Sequence, residues 1–595
     1  MNYTIATTVF GVCAMLWLTS GIFFFKKNEN TLVGISWISL IIIILNCFHC
    51  FAAAVMNPIG IPINIVSIGI VDIVAGTFFW YKNFRSRQWQ KYSFALTDIL
   101  LVAFLVIFLL VFAKVRFGGW DLNLNYLTID PANHLAETVN FMRTQSVSGM
   151  FYEFVWNGLF MELLAPFSRP DYYYRYFVLS DLINLGLAAV VFYGVERRHT
   201  KNVYSKIVAV VLALAYVIGY PLCSTLYGFV YLGMGITLIS AIMLACDMYM
   251  ENEMPEWLGI VMLMLGCLGI FECYALFMPV VFFAVISCVF VKQKRAHMLI
   301  SWKTIVVCLS IFLIPCIVGF AYTYAHIFAQ NDLSVGAALV NEGACYRDLY
   351  SNFIFFLPAM IYAFWLGIRK KQNTLVMFLA PYSLLYTLYL LYKVVNGTTS
   401  TYYYYKIYFL LWLIAFVLIF QAAVYAEKET RILALGGIAT WCLVTLVYVG
   451  KIEEKFQYHN ALLVPEIKSD DICSIVNFNY GATPIQMPAF NAEKVELYHY
   501  VAENMGQQGA QLVPLAGYWE DDYWYQAITN QRYYGWGQSD PDHTDYFNHL
   551  NESEAQYVLV LKDSAIYADE MEYFDSLERV YENNLGFVGI VQEKN

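Results

Sequence analysis

After an apolar run from Tyr92 to Phe112 the chain reads Trp120-Asp121 and then Thr128-Ile129-Asp130-Pro131-Ala132-Asn133-His134. A run of that length crosses a hydrocarbon core of about 30 Å, so the polar stretch beyond it is delivered to an aqueous face. Two amphipathic stretches follow, and the chain re-enters an apolar phase after Arg169-Pro170-Asp171-Tyr172-Tyr173-Tyr174-Arg175. From Lys114 to Arg175 the loop is about sixty residues, far beyond an ordinary connection, which by itself favours function over plain linkage.

The composition around this loop sets the class. Of 595 residues, 60% are hydrophobic and only 13% charged, more apolar surface than a soluble chain can bury. The sequence predicts a polytopic α-helical membrane protein with about fourteen transmembrane helices and a C-terminal extracytoplasmic α/β domain. The first eight runs are Ile5–Phe25, Val33–Val55, Ile61–Trp80, Tyr92–Phe112, Tyr176–Gly194, Ile207–Leu222, Phe229–Ala245 and Leu258–Phe271. The other six are Tyr274–Val291, Thr304–His326, Phe353–Ile368, Leu375–Leu391, Ile407–Ala426 and Leu433–Val449.

Basic residues orient these spans. Lys26 and Lys27, then Lys82, Arg85, Arg87 and Lys91, then Arg197, Arg198, Lys201 and Lys206 fall on one side. Lys292, Lys294 and Arg295, and Arg369, Lys370 and Lys371, fall there too, so that side is expected to be cytoplasmic. The N-terminus and everything after Val449 are then extracytoplasmic, in a cell membrane crossed many times. No basic n-region precedes the first span and no small-residue cleavage pattern follows it, so a removable signal peptide is not expected.

Three parts follow from this reading. Residues 1–91 hold three helices, residues 92–449 a membrane core with long outer loops at 114–175 and 327–352, and residues 450–595 a water-soluble α/β domain. The last part carries −16, from 24 acidic and 8 basic residues after Val449, against +6 for the rest, which excludes nucleic acid as an expected partner. Within it Asn491 is set to cap a helix, Gln511–Leu515 and Tyr557–Leu561 read as strands, and Leu577–Glu582 with Phe587–Gln592 as a hairpin. Of thirteen cysteines only Cys473 lies there, and no disulfide framework or zinc spacing is present.

Leu135, Val139, Phe141 and Met142, and then Phe151, Phe154, Val155, Leu159 and Leu163, recur at helical spacing, the pattern of two interfacial helices. Asp130 has two readings: an N-cap with Pro131 at the first helical position, or a rigidly held carboxylate that accepts a proton. His134 is a partner for that carboxylate, a metal ligand or an interfacial polar residue. Asp121 is a second carboxylate of the same loop. Among carboxylates within spans, Glu272 and Asp181 lie toward the outer face, Asp181 near enough to the boundary to be solvated. Asp72 and Asp98 lie toward the inner face and read as parts of buried polar networks.

A membrane bundle whose long outer loop bears an acidic residue ahead of interfacial helices, followed by a soluble outer domain, resembles the GT-C superfamily of glycosyltransferases, in particular bacterial members with an Asp-Pro-Ala-x-His-like loop. The resemblance implies a glycosyltransferase using a polyprenyl-phosphate sugar and an acceptor that is a glycan, lipid or cell-wall polymer. It also implies that Asp130 is the general base of an inverting transfer. Three helices precede the loop's own helix, where these enzymes typically have one. No Asp-x-Asp or Glu-x-Asp pair lies in the loop, so a divalent cation is compatible but required by no motif. A lipid-phosphate leaving group needs cations, for which Arg347, Lys393 and Lys406 are candidates, Lys406 together with Tyr405 closing the run Asn396–Lys406; the tyrosines of that run fit an aromatic belt equally well. Glu272 is a further candidate for lining the substrate cavity. Arg143, Arg169 and Arg175 keep open a surface-polysaccharide polymerase or ligase, and the inner carboxylates a lipid or solute transporter, although no internal repeat is visible.

Overall fold

The computed structural model describes residues 3–26, 31–128, 130–147, 151–295, 301–323, 353, 356–370, 374–425, 475–484, 492–505, 512–515, 519–530 and 556–591, with a few isolated positions besides. Among these residues eleven helical segments are long and apolar enough to cross a membrane, and the chain is a multi-pass helical membrane protein.

Four helices come first: α1 (Ile5–Phe24), α2 (Gly34–Met56), α3 (Ile65–Ser86) and α4 (Leu96–Arg116). Two shorter ones occupy the long loop, α5 (Asp130–Thr144) and α6 (Phe151–Leu164). The bundle continues with α7 (Tyr174–Arg197), α8 (Val203–Val217), α9 (Tyr220–Tyr227), α10 (Val230–Met250), α11 (Glu256–Tyr274), α12 (Met278–Arg295) and α13 (Trp302–Thr323). It closes with α14 (Leu357–Arg369), α15 (Val376–Val395) and α16 (Thr401–Tyr425). Three places separate eleven spans from the fourteen expected. The Glu256–Lys294 segment counts once although the turn Ala275–Phe277 breaks it into α11 and α12, and α14 has only 13 residues. The run Leu433–Val449 lies almost wholly outside the described residues, as does the expected outer loop 327–352.

Lipid offers no hydrogen bonds and no hydration, so packing and polar pairing within the bundle decide its assembly. α1 and α3 pair closely: a Cβ on Gly76 would lie 2.9 Å from the Leu18 backbone, so glycine is what lets the two backbones approach. Short parallel strands β1 (Leu32–Val33) and β2 (Tyr92–Ser93) join the connections after α1 and α3, which places those two connections at the same end of the bundle. Asp98 and Arg197 meet at 2.9 Å with both side chains buried, and the Tyr193 hydroxyl donates to the same carboxylate at 2.7 Å. Asp72 is paired with His49 of α2 at 3.0 Å. Both inner carboxylates therefore have partners inside the protein. Among the described residues no cysteine is joined in a disulfide; Cys473 lies outside them.

The two loop helices differ from the expected interfacial pair. α5 and α6 do not lie on the lipid surface but are packed into the bundle, with α6 between α2, α7 and α11 and most of its residues buried, Glu153 and Glu162 included. Their apolar positions face protein, and amphipathic spacing alone does not distinguish a protein face from a lipid face. Ile65 N–H and the Tyr3 hydroxyl donate to Glu162 at 2.7 and 3.1 Å, and burial still pushes this carboxyl up to about 8.

The C-terminal part contains α17 (Ile475–Ala482), α18 (Ala492–Met505), α19 (Trp519–Thr529), α20 (Ala565–Asp569) and α21 (Met571–Ser576). Four strands, β3 (Leu512–Leu515), β4 (Tyr557–Leu561), β5 (Arg579–Glu582) and β6 (Gly586–Ile590), form a sheet in the order β3-β4-β6-β5. β3 and β4 run parallel and the other neighbours antiparallel. The β5–β6 hairpin turns on Asn583, whose side chain accepts from the amides of Leu585 and Gly586. This part is joined to the bundle at several points. Arg116 donates to the carbonyls of Ala482 (2.9 Å) and Pro484 (3.3 Å), Asn479 to those of Ile218 and Gly219, and α19 packs on α5.

The Asp98–Arg197 pair yields a first expectation. Removing one partner leaves a buried charge uncompensated, so Arg197→Met costs about 3–5 kcal/mol of stability. The double variant Asp98→Asn/Arg197→Met costs clearly less than the sum of the single changes, which thermal unfolding of the purified protein in lipid nanodiscs measures.

Candidate functional site

The segment from Phe117 to Thr128 has little regular structure, yet it is tied down almost residue by residue. Leu127 N–H donates to the Leu226 carbonyl (2.8 Å) and the Thr128 hydroxyl to the Tyr227 carbonyl (2.5 Å), anchoring the loop to the end of α9. Tyr126, fully buried, donates its hydroxyl to Asp181 at 2.6 Å. Gly228 follows α9 with φ +73°, and a Cβ there would lie 1.9 Å from Cγ of Pro131. The start of α5 is thus pressed against the α9–α10 turn, and only glycine permits both the left-handed conformation and the contact.

Asp130 stands at this fixed point, half-buried on the first residue of α5. Among the described residues its carboxylate makes no hydrogen bond. An N-cap would accept from the amides of the turn it begins, and Asp130 does not. His134, one turn along, is buried and stacks on Tyr231 of α10, with ring centroids 5.1 Å apart. Its Nδ1 lies 3.0 Å from Oε2 of Glu153 on α6. That is an ion-pair distance without the alignment of a hydrogen bond, and both Glu153 oxygens are buried without one. Burial works against a charged imidazole, but the Glu153 carboxylate, with Asp130 and Asp181 beyond it, outweighs burial and holds His134 above its ordinary range.

Tyr231 connects this cluster to α16. Lys406 is 2% exposed and donates to the Tyr231 hydroxyl at 2.8 Å. Its ammonium sits over four aromatic rings, those of Tyr402 at 4.0 Å, Phe229 and Tyr231 at 5.0 Å and Tyr274 at 5.4 Å. Such a chamber holds a cation away from water by the rings' negative faces. Cys273 donates its thiol to the Tyr231 carbonyl, fixing α11 against the same turn of α10.

Asp130, His134 and Lys406, far apart in sequence, are therefore brought into one cluster. Asp121 is exposed on the turn Gly119–Asp121. Glu272 is buried in α11 with Oε1 lacking a hydrogen bond, and Lys393 is half-buried at the end of α15; no contact among the described residues joins either to the cluster. Tyr405 packs edge-to-face on Tyr408 (5.2 Å) and is buried with Tyr404, while Tyr402 and Tyr403 are half-buried, so two of the four tyrosines face protein rather than a lipid-facing belt. Arg347 lies outside the described residues. Arg169 pairs with Asp171 and Glu503, Arg175 covers the ring of Tyr172, and Arg143 donates to Asn140, so each has a local partner.

Glu153 and Tyr231 escaped the sequence reading. Glu153 stood in an apolar helix, where the cost of burying a charge marks it as a site candidate. Asp181 was expected to be solvated; it is 2% exposed, and the Tyr126 hydroxyl replaces the water. Among the described residues no group of three or more His, Cys, Asp or Glu is gathered to hold a metal ion. No protein-family model matches the chain, and no curated protein does.

Because the folded pKa of His134 is raised, the stability its charge contributes is fully present below about pH 6.5 and is lost as pH rises through the raised value. Unfolding midpoints of the wild type should fall over that window, and Glu153→Gln should flatten the response. Gly228→Ala forces the turn and Pro131 apart. It should lower the unfolding midpoint by several degrees while leaving the far-ultraviolet helix signal unchanged.

Proposed function

We propose that the protein is an integral-membrane glycosyltransferase of the GT-C type. It moves a sugar from a polyprenyl-phosphate donor to an acceptor hydroxyl of a glycan, lipid or cell-wall polymer on the outer face of the membrane. The observation that carries this reading is Asp130: a half-buried carboxylate on a helix start that cannot shift, with no hydrogen bond occupying it. In the proposed step Asp130 takes the proton of the acceptor hydroxyl as its oxygen bonds to the anomeric carbon. The bond from that carbon to the phosphate oxygen breaks, polyprenyl phosphate leaves with the electron pair, and the configuration inverts. An ordinary carboxylate is a weak base, so fixed position supplies much of the rate.

The surrounding charges suit this chemistry. His134, held above its ordinary range by Glu153, brings a positive charge one helix turn from Asp130. Lys406, which donates to the Tyr231 hydroxyl beside His134, supplies a second positive charge for the developing phosphate. The basic residues in the loops at the opposite ends of the spans support an outer orientation of the site.

Sugar transfer by the purified protein in lipid, from a panel of polyprenyl-phosphate donors with and without a chelator, tests the reading. Asp130→Asn keeps the shape of the side chain and removes the base, and should lower transfer by about 10²–10⁴-fold with unchanged unfolding midpoint. Lys406→Met should weaken donor use while leaving the pH dependence of transfer in place. Transfer that survives Asp130→Asn overturns the assignment of the base.

A further inference from the structure

The opposite end of α7 from the candidate site holds a second buried polar cluster. Glu196 is 0% exposed, and neither of its carboxylate oxygens has a hydrogen bond. Its chain neighbours are committed elsewhere, Arg197 to Asp98 and Arg198 to Glu251 and Glu253. Glu196 lines a cavity with about 10 Å³ of free volume, room for one water or a small ion. Four further elements bring polar groups to that cavity: His199 after α7, Asp247 on α10, Thr374 ahead of α15 and Gln421 on α16. The Thr374 hydroxyl and the Gln421 amide oxygen are also buried without a hydrogen bond. Apolar side chains of α7, α10, α15 and α16 close the remaining wall.

The charges around this cavity do not balance. Asp247 accepts from the Leu375 amide at 2.8 Å and interacts electrostatically with the Arg198 guanidinium, so its charge has local compensation. Glu196 has none. A buried carboxylate with no partner is strongly unfavourable, and the carboxylate, hydroxyl and amide oxygens carried by the polar side chains lining this small cavity are the ligand types that a hard cation takes. Two carboxylates, one already compensated, with a neutral amide and a hydroxyl leave one negative charge to be met. That favours a single positive charge over a divalent ion, which seeks more carboxylates.

We propose that this cavity binds a small monovalent cation of sodium size, held by Glu196 with Asp247, Thr374 and Gln421, and that the ion locks α7, α10, α15 and α16 together. The site is independent of the sugar-transfer reading, because it lies at the other end of the bundle and its test measures no transfer.

The experiment is thermal unfolding of the full-length protein in nanodiscs of neutral lipid, titrated with sodium chloride against choline chloride at constant ionic strength. The wild-type midpoint should rise saturably with sodium and not with choline. Glu196→Gln should abolish the sodium-dependent rise, and should raise the midpoint in choline, since it removes the uncompensated charge. Gln421→Leu should increase the sodium concentration giving half the effect by at least about tenfold, a loss of about 1.4 kcal/mol in binding, and keeps the test open should Glu196→Gln not fold. Equal responses to sodium and choline, or a sodium response retained in both variants, overturn the proposal. A midpoint that ignores every cation and follows pH alone also overturns it, in favour of a proton on Glu196. A response to magnesium or calcium at lower concentration than sodium overturns the monovalent assignment.

Discussion

The structure depends throughout on one constraint: a charge placed among apolar helices must find its counter-charge or its hydrogen bonds within the protein. Asp98 meets Arg197, Asp72 meets His49, Asp181 takes the hydroxyl of Tyr126, and Glu153 draws His134 to itself. These contacts tie α4 to α7, α3 to α2, the loop before α5 to α7, and α6 to α5, and they select neighbours in a way that apolar packing alone does not, since lipid is as good a solvent for leucine as protein is. The places where the constraint is not met are then the informative ones. Among the described residues Asp130 makes no hydrogen bond at one end of the bundle, Glu272 is buried with Oε1 unbonded, and neither carboxylate oxygen of Glu196 is bonded at the other end.

Asp130 and Glu196 differ in what surrounds them. Asp130 is half-buried, on a helix start held by Pro131 against Gly228. Glu196 is fully buried, beside a cavity with room for one water or a small ion. The first environment suits a group that exchanges protons with a substrate. The second suits a permanent structural charge.

Much of the fold was legible in the sequence because the bilayer enforces a simple code of length and hydropathy. The runs Ile5–Phe25 and Val33–Val55 match α1 and α2 to within a residue or two, and the β5–β6 hairpin lies where Asn583-Asn584-Leu585-Gly586 marks a turn. Legibility failed where the partner of an apolar face had to be known. α5 and α6 carry the spacing of interfacial helices, but the neighbours that bury them are α2, α7, α11 and α19, and no local pattern announces those. The candidate site was legible in part. Asp130 and His134 share one helix turn, and Lys406 stands out as a lysine after four tyrosines. Glu153 and Tyr231 were not legible as members, because their roles arise from helix pairings: α6 on α5, and α10 on α16. Asp121 shares the loop with Asp130 but sits on an exposed turn, a reminder that proximity in sequence is not proximity in space.

The cover over α5 has a consequence for biosynthesis. Arg169 and Asp171 at the end of the long loop bond to Glu503 and His499, more than 300 residues further along the chain, and α19 packs on α5 itself. At about 5–20 residues per second, ribosomal synthesis leaves the Asp130 helix without its cover for tens of seconds after it has entered the membrane. During that interval the loop presents a half-finished surface to the translocation machinery and to any membrane chaperone, and the site becomes complete only when the last helices arrive. A nascent chain halted before α18 would be threaded through the bilayer yet lack the surface over its own Asp130 helix.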